Sequence, residues 1–261
     1  MFKQFVLISM IAVGFAGCSD DSVNVEDLRA IGGAKYGGTF RFMSSEKIET
    51  ILPLQATTLY IQRITSQIFD PILRLDASGS KVIPSVAESF TVSPDGKSYT
   101  LNIRKGIYFH PDECLDGEAR ELTADDVKFT LDMSCSGLKL NEISFMLNDR
   151  VVGASEFHKA TKTQFKAGGV SGIKVLDRYK LRINLVEAFA GFDKLLTYSG
   201  FGVFPKEAYD FYKDDIKNHP VGTGPFMLEE FSNKGLKLKR NPNYWAKDQF
   251  GNQLPFLAAI E

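Results

Sequence analysis

Apolar and polar positions recur in short blocks along this chain, and each block predicts one element. Segment 37–44 sets Phe40 and Phe42 two residues apart among polar neighbours, the period of a half-buried strand. From Leu59 to Phe69, Leu59, Ile61, Ile64 and Ile68 fall at roughly helical spacing. Asp70-Pro71 ends that helix, because the residue before proline is pushed out of the α region. PILRLDASGSKVIP predicts two short strands about an Asp-Ala-Ser-Gly turn. In SFTVSPDGKSYTLNIRKG, Tyr99, Leu101 and Ile103 share a face and Pro94-Asp95-Gly96 supplies the turn, so a hairpin is predicted. Thr123 and Asp126 have the spacing of a capping box. The helix after them presents Val127, Thr130, Leu131 and Ser134 on one side. Further helices are predicted around 155–165, 189–198 and 205–212. A second hairpin covers 172–186 and turns at Asp177-Arg178. Two strands follow, near 226–231 and 236–240, about a turn at Asn233-Lys234-Gly235. Short strands interleaved with scattered helices predict an α/β fold.

The first residues follow a different pattern. MFKQFVLISMIAVGFAGCSDD opens with Lys3, continues with an apolar run from Phe5 to Phe15, and reaches small residues, Ala16 and Gly17, directly before Cys18. The run is about a dozen residues, short of the ~20 that span a bilayer, and it has the layout of an export signal. It resembles the lipobox of bacterial lipoproteins, with Phe15 where Leu is commoner. That resemblance implies cleavage after residue 17, acylation of Cys18 and a bilayer anchor on the periplasmic side of the cell envelope. An ordinary secretory signal with an incidental cysteine is the alternative. Residues 18–35, polar and glycine-containing, read as a tether.

Export changes the cysteine arithmetic. With Cys18 acylated, Cys114 and Cys135 remain, an even number in an oxidising compartment. A disulfide between them is expected, contributing about 3 kcal/mol by the chain-entropy account; two buried thiols are the alternative. The net charge of −1 excludes a strong long-range field for nucleic acid.

Catalytic chemistry finds no foothold. None of the histidines, His110, His158 and His219, stands beside a nucleophile motif, and G-x-S-x-G, H-E-x-x-H and C-x-x-C are absent. His110-Pro-Asp-Glu-Cys114 contains metal-ligand types with no second cluster near it in sequence, so neither a metal nor a cofactor is expected. PVGTGPFML, residues 220–228, concentrates glycine and proline. It is not a phosphate loop, because Pro225 has no N–H to offer and no Gly-Lys-Ser/Thr follows. A turn into a strand and the edge of a ligand cleft remain.

Taken together, the blocks resemble family 5 of the extracellular solute-binding proteins of ABC transporters, the peptide-binding group. GGTFRFMSSE is similar to its opening strand and loop, and IFDPILRLDASGSKVIPSVAESFTVSPDGKSYTLNIRKGIYFH to its most recognisable block. LTADDVKFTL, IKVLDRYKLRINL and PVGTGPFML…LKLKRNPNYW follow in the family's order, so the likeness covers roughly 36–255. Leu52 stands where the family often has Asp, and 112–121 resembles an insertion.

The resemblance implies a type II periplasmic-binding-protein fold. Residues 36–54 and 188–261 would form the first lobe and 55–187 a smaller inserted α/β domain. Members are roughly double this length, so the second lobe is expected to be missing and the sequence to be an N-terminal fragment. The implied function is not enzymatic. It is a monomeric receptor that closes on a peptide and presents it to the permease subunits of the transporter. Ser45, Glu46, Tyr198, Phe201, Gly222, Thr223 and Gly224 are the expected ligand-facing residues. Nickel, opines, haem and oligosaccharides are alternative ligands within the family. A truncated anchored lipoprotein with a structural or interaction role is the reading from another class.

Overall fold

The computed structural model describes residues 29–43, 47–232 and 235–261. The export signal, Cys18, most of the tether, Ser45, Glu46 and the turn residues Asn233 and Lys234 lie outside them.

Strand β1 (Thr39–Phe40) is shorter than the alternation of 37–44 predicts. Phe40 and Phe42 are not half-buried but stack on each other on the exposed side, ring centres 6.1 Å apart. Helix α1 (Leu59–Ile68) starts at Thr58, whose hydroxyl accepts from the Ile61 N–H, and stops where predicted, with Phe69 already extended. The short strands β2 (Leu73–Leu75) and β3 (Val82–Pro84) pair antiparallel. Strands β4 (Ala87–Val92) and β5 (Ser98–Ile103) form the predicted hairpin. Its turn is held by the Asp95 carboxylate, which accepts from the Lys97 N–H at 3.1 Å, and Gly96 takes the left-handed conformation.

Helix α2 (Ala124–Cys135) opens on the predicted cap: the Thr123 N–H donates to Asp126 Oδ2 at 2.8 Å. Val127, Thr130, Leu131 and Ser134 are buried as expected, and so are most other residues of the helix, because neighbours pack on several sides. The pattern shows one apolar face; tertiary packing supplies the rest. Helix α3 (Ala154–Ala160) follows, then strands β6 (Ile173–Asp177) and β7 (Lys180–Asn184), the second predicted hairpin. The expected helix over 189–198 contracts to α4 (Phe192–Leu195), followed by a 3-10 turn at Ser199–Phe201; Gly191 and Gly200 flank the pair. Helix α5 (Lys206–Tyr212) begins after Pro205. Strands β8 (Phe226–Ser232), β9 (Gly235–Arg240) and β10 (Ala259–Ile260) complete the order.

Two four-stranded sheets result. One has the order β4-β5-β7-β6 and is wholly antiparallel. The other, β1-β10-β9-β8, joins the first strand to the last in parallel and is otherwise antiparallel. Tyr99, Leu101 and Ile103 of β5 and Leu181 and Ile183 of β7 bury one face of the first sheet beside α2. A contiguous core runs from there through Phe69, Phe201 and Phe204 to Leu238 and Ile260 of the second sheet. Helix α1 lies across this core, and its two ends carry the polar features that matter for function.

Candidate functional site

At the C-terminal end of α1 the chain builds a buried polar node. Asp70 is 5% exposed and accepts three side-chain hydrogen bonds: Thr223 Oγ1 at 3.0 Å, Tyr244 OH at 3.0 Å and Trp245 Nε1 at 2.8 Å. Burial still holds its carboxyl above the usual carboxylate range, against the pull of those donors and of nearby Arg74. Arg104 covers the Trp245 ring at 4.8 Å. The glycine stretch is clamped to the same helix end. A Cβ on Gly222 would stand 2.0 Å from the Ile68 carbonyl oxygen, and one on Gly224 2.6 Å from the Ile68 carbonyl carbon. No side chain fits there, which is the physical reason for both glycines. The Gly224 N–H donates to Ile68 O at 2.8 Å. His110 ties the node to the end of the first hairpin. Its N–H donates to Gly222 O at 2.8 Å and its Nε2 lies 3.0 Å from Gly224 O. Its enclosed ring is lowered to a pKa of about 4, chiefly by burial.

At the N-terminal end of α1 the molecule is open. A groove of about 340 Å³ is bordered by Lys47, Ile48, Glu49 and Thr50, by Gln55, Thr57, Thr58, Tyr60 and Ile61, and by Glu142 and Lys217. The buried strap Ile51–Leu54 connects Thr50 and Gln55 of its border. Backbone bonds fix Glu142 and Lys217 to that strap: Ile51 N–H donates to Lys217 O at 3.1 Å and Glu142 N–H to Leu54 O at 3.0 Å. Tyr198 braces it from behind, its hydroxyl donating to Ala56 O. Lys47 of the groove follows Ser45 and Glu46 directly in sequence.

The expected site residues therefore separate. Gly222, Thr223 and Gly224 come together at the Asp70 node, with Thr223 1% exposed, and not at the groove. Phe201 is fully buried in the core, its ring edge-on to Tyr198. Tyr198 reaches the back of the groove wall. Ser45 and Glu46 fall outside the described residues.

The expected disulfide is corrected. Both cysteines are free thiols. Cys114 lies in the 3-10 turn Glu113–Leu115, in the electrostatic company of Arg120 and Glu207, whereas Cys135 is the last residue of α2. Burial pushes both thiols above the ordinary range. Asp112 of the same segment accepts from the Cys114 N–H at 2.9 Å and the Tyr212 hydroxyl at 2.7 Å. Among the described residues no group of three His, Cys, Asp or Glu converges, and no helix is long and apolar enough to cross a membrane.

Sequence reasoning read Asp70 only as a helix stop and missed its role as an acceptor. An acid at a helix end, together with the aromatic pair Tyr244-Trp245 far downstream, is the signal that was there to find. Lys47, Glu49, Glu142 and Lys217 carry no motif, and their meeting depends on the fold.

The family described as bacterial extracellular solute-binding proteins, family 5 Middle, matches residues 81–261. Among curated proteins, the Di/tripeptide-binding protein 1 of Pseudomonas aeruginosa is 30% identical over 70% of this chain and 33% of its own length. The probable ABC transporter periplasmic-binding protein SapA of Escherichia coli is 25% identical over 94% of this chain and 43% of its own. Among solved structures, the substrate-binding domain of a Bacillus anthracis oligopeptide ABC transporter superposes with a TM-score of 0.68 at 26% identity, over 79% of this chain and 38% of that one. DppA of Helicobacter pylori, in complex with the peptide STSA, gives 0.70 at 22% identity, over 86% and 42%. The chain thus has the mixed α/β fold of type II periplasmic binding proteins and spans about a third to two-fifths of the proteins it matches.

Proposed function

This chain belongs to family 5 of the bacterial extracellular solute-binding proteins, and we propose that it binds short peptides for import through an ABC transporter. The observation that carries this reading is the open groove at the start of α1, bordered by charged side chains that make no ion pair among the described residues, on a fold shared with proteins named for di-, tri- and oligopeptide binding. At the Asp70 node the Thr223, Tyr244 and Trp245 donors are all spent on the buried acid; the groove is where charged capacity is left for a ligand. An extended peptide gains about 0.5–1.5 kcal/mol from each backbone hydrogen bond whatever its side chains, which suits a receptor for varied sequences.

In this reading residues 36–54 and 188–261 form one lobe, 55–187 an inserted domain, and the Ser45–Glu46 loop joins Lys47–Thr50 in facing the ligand. The receptor acts without catalysis, as a monomer outside the cytoplasmic membrane, tethered through acylated Cys18, and delivers its ligand to the permease subunits. Calorimetric titration of the natural gene product with di- and tripeptides, nickel, an opine and an oligosaccharide tests it. Heat of binding with the peptides alone is expected; binding of another class with none of peptide refutes it. Fatty-acid labelling tests the anchor: Cys18→Ser abolishes it, and undiminished labelling contradicts the assignment.

A further inference from the structure

The sheet β4-β5-β7-β6 packs one face on the core and leaves the other open. Side chains alternate along each strand, so the register fixes what the open face carries. Thr91, Thr100, Arg182 and Lys174 lie opposite one another in one row, and Ser89, Asn102 and Lys180 in the next. Lys174 and Arg182 are thus direct cross-strand partners of like charge, an arrangement that weakens a sheet. Neighbouring strands stand about 4.8 Å apart and alternate residues of one strand about 6.8 Å, so the three cations rise from backbone points roughly 5–8 Å apart.

The uncharged residues of this face bond to one another. Asn102 Nδ2 donates to Ser89 Oγ at 2.8 Å, and Ser98 Oγ to Asn184 Oδ1 at 3.1 Å. The cations do not: among the described residues Lys174, Lys180 and Arg182 make no ion pair and no side-chain hydrogen bond. Asp177, in register with Lys180, spends a carboxylate oxygen on the Tyr179 N–H at 2.8 Å. Glu88 stands on β4, at the opposite edge of the sheet from β6. Like charges held side by side and left unpaired suit an anionic partner. Short polar side chains fill the two rows between the cations, with no aromatic residue to anchor a protein partner, and protein interfaces are poor in Lys. A second copy would bring the same charges together and be repelled. With a net charge of −1 the chain has no strong long-range field, so the face acts only within about a Debye length, ~10 Å, of an anionic surface.

We propose that the open face of this sheet docks on anionic phospholipid headgroups through Lys174, Lys180 and Arg182. The inference goes beyond the peptide reading and rests on it only for placing the chain beside a bilayer. Each basic side chain at such a surface multiplies affinity about fivefold, so three supply up to about a hundredfold. Docked in this way, the sheet lies along the membrane plane and orients a receptor that a tether alone leaves free to tumble.

The test is co-sedimentation of the natural gene product with vesicles of phosphatidylcholine alone and of phosphatidylcholine and phosphatidylglycerol in equal parts. The readout is the ratio of the two partition coefficients, from which an acyl anchor cancels because it enters both lipids alike. At low salt the anionic vesicles are expected to bind about tenfold better or more, and the preference to vanish at about 1 M salt, where the Debye length is ~3 Å. The triple variant Lys174→Gln, Lys180→Gln, Arg182→Gln loses the preference without a lower melting temperature, since it removes a like-charge pair. A second triple variant, Lys159→Gln, Lys162→Gln, Lys166→Gln, takes the same charge from exposed positions elsewhere and keeps the preference. A wild type without preference, including one that binds neither vesicle, overturns the proposal. Equal loss in the two variants assigns the effect to net charge and overturns it too. Vesicle binding blind to composition, with permease subunits retained by the wild type and released by the first variant, makes the face a protein interface and refutes the lipid assignment. The ratio is measured without peptide, so a failed peptide titration leaves this result standing.

Discussion

Helix α1 separates two polar regions that treat charge in opposite ways. At its C-terminal end, Asp70 is enclosed and its oxygens are occupied by Thr223, Tyr244 and Trp245. At its N-terminal end, about 15 Å away along ten helical residues, Lys47, Glu49, Glu142 and Lys217 stand exposed around a groove, with no ion pair among the described residues. The first region resembles a knot: glycines clamp a helix end, a histidine grips the glycine carbonyls, and an acid collects donors from distant segments. The second resembles a socket. The contrast teaches that the most conspicuous punctuation in this chain, PVGTGP and the Tyr-Trp pair, is packed and bonded to the end of α1. The groove's charged residues have no motif.

The largest expected effect breaks the knot sterically. Gly222→Ala forces a methyl group against the Ile68 carbonyl and destabilises the fold by about 3 kcal/mol, the upper end for overpacking. Urea denaturation measures it; an unchanged midpoint contradicts the clamp. A similar loss is expected from pH. His110 is held at about 4 against an unfolded value of 6.5. A base depressed by folding contributes full stability above 6.5 and loses it as pH falls from there toward 4, a swing of about 3 kcal/mol. His110→Gln is expected to flatten that part of the stability profile, and a variant with the wild-type slope places the titration elsewhere. Asp70→Ala strands buried donors and costs about 1–3 kcal/mol, with a shift in the fluorescence of Trp245, the single tryptophan of the chain. An unshifted spectrum contradicts the hydrogen bond. The smallest effect is at the socket. Glu49→Gln changes stability by less than about 0.5 kcal/mol, as surface substitutions do, and a larger loss shows that Glu49 is not a free groove residue. Thiol alkylation in denaturant without reductant modifies both Cys114 and Cys135; resistance of the pair restores the disulfide.

Much of the fold was legible because its signals are local. The Pro94-Asp95-Gly96 turn, the Thr123 cap and the Asp70-Pro71 stop each act within a few residues, and the elements they bound appear where expected. The exceptions have tertiary causes. Tight packing among Tyr198, Gly200 and Ile143 accompanies the shortened helix before Phe201, and β1 finds only residues near the far end of the chain to pair with. The cysteine count suggested a bridge, but count carries no distance, and the two free thiols stand on different elements. The site was half legible. Gly222–Gly224 was recognised as a special backbone, and its partner, Ile68, became visible only in three dimensions. The meeting of Glu142 with Lys217 arises from two backbone bonds to residues 51 and 54, which no sequence pattern announces.

Hydrogen–deuterium exchange of the natural gene product, with and without a saturating dipeptide, tests the division between knot and socket most directly. New protection is expected in fragments covering 47–61, 142 and 217, with exchange at 222–224 unchanged. Protection that appears at 222–224 and leaves 47–61 untouched would contradict the account.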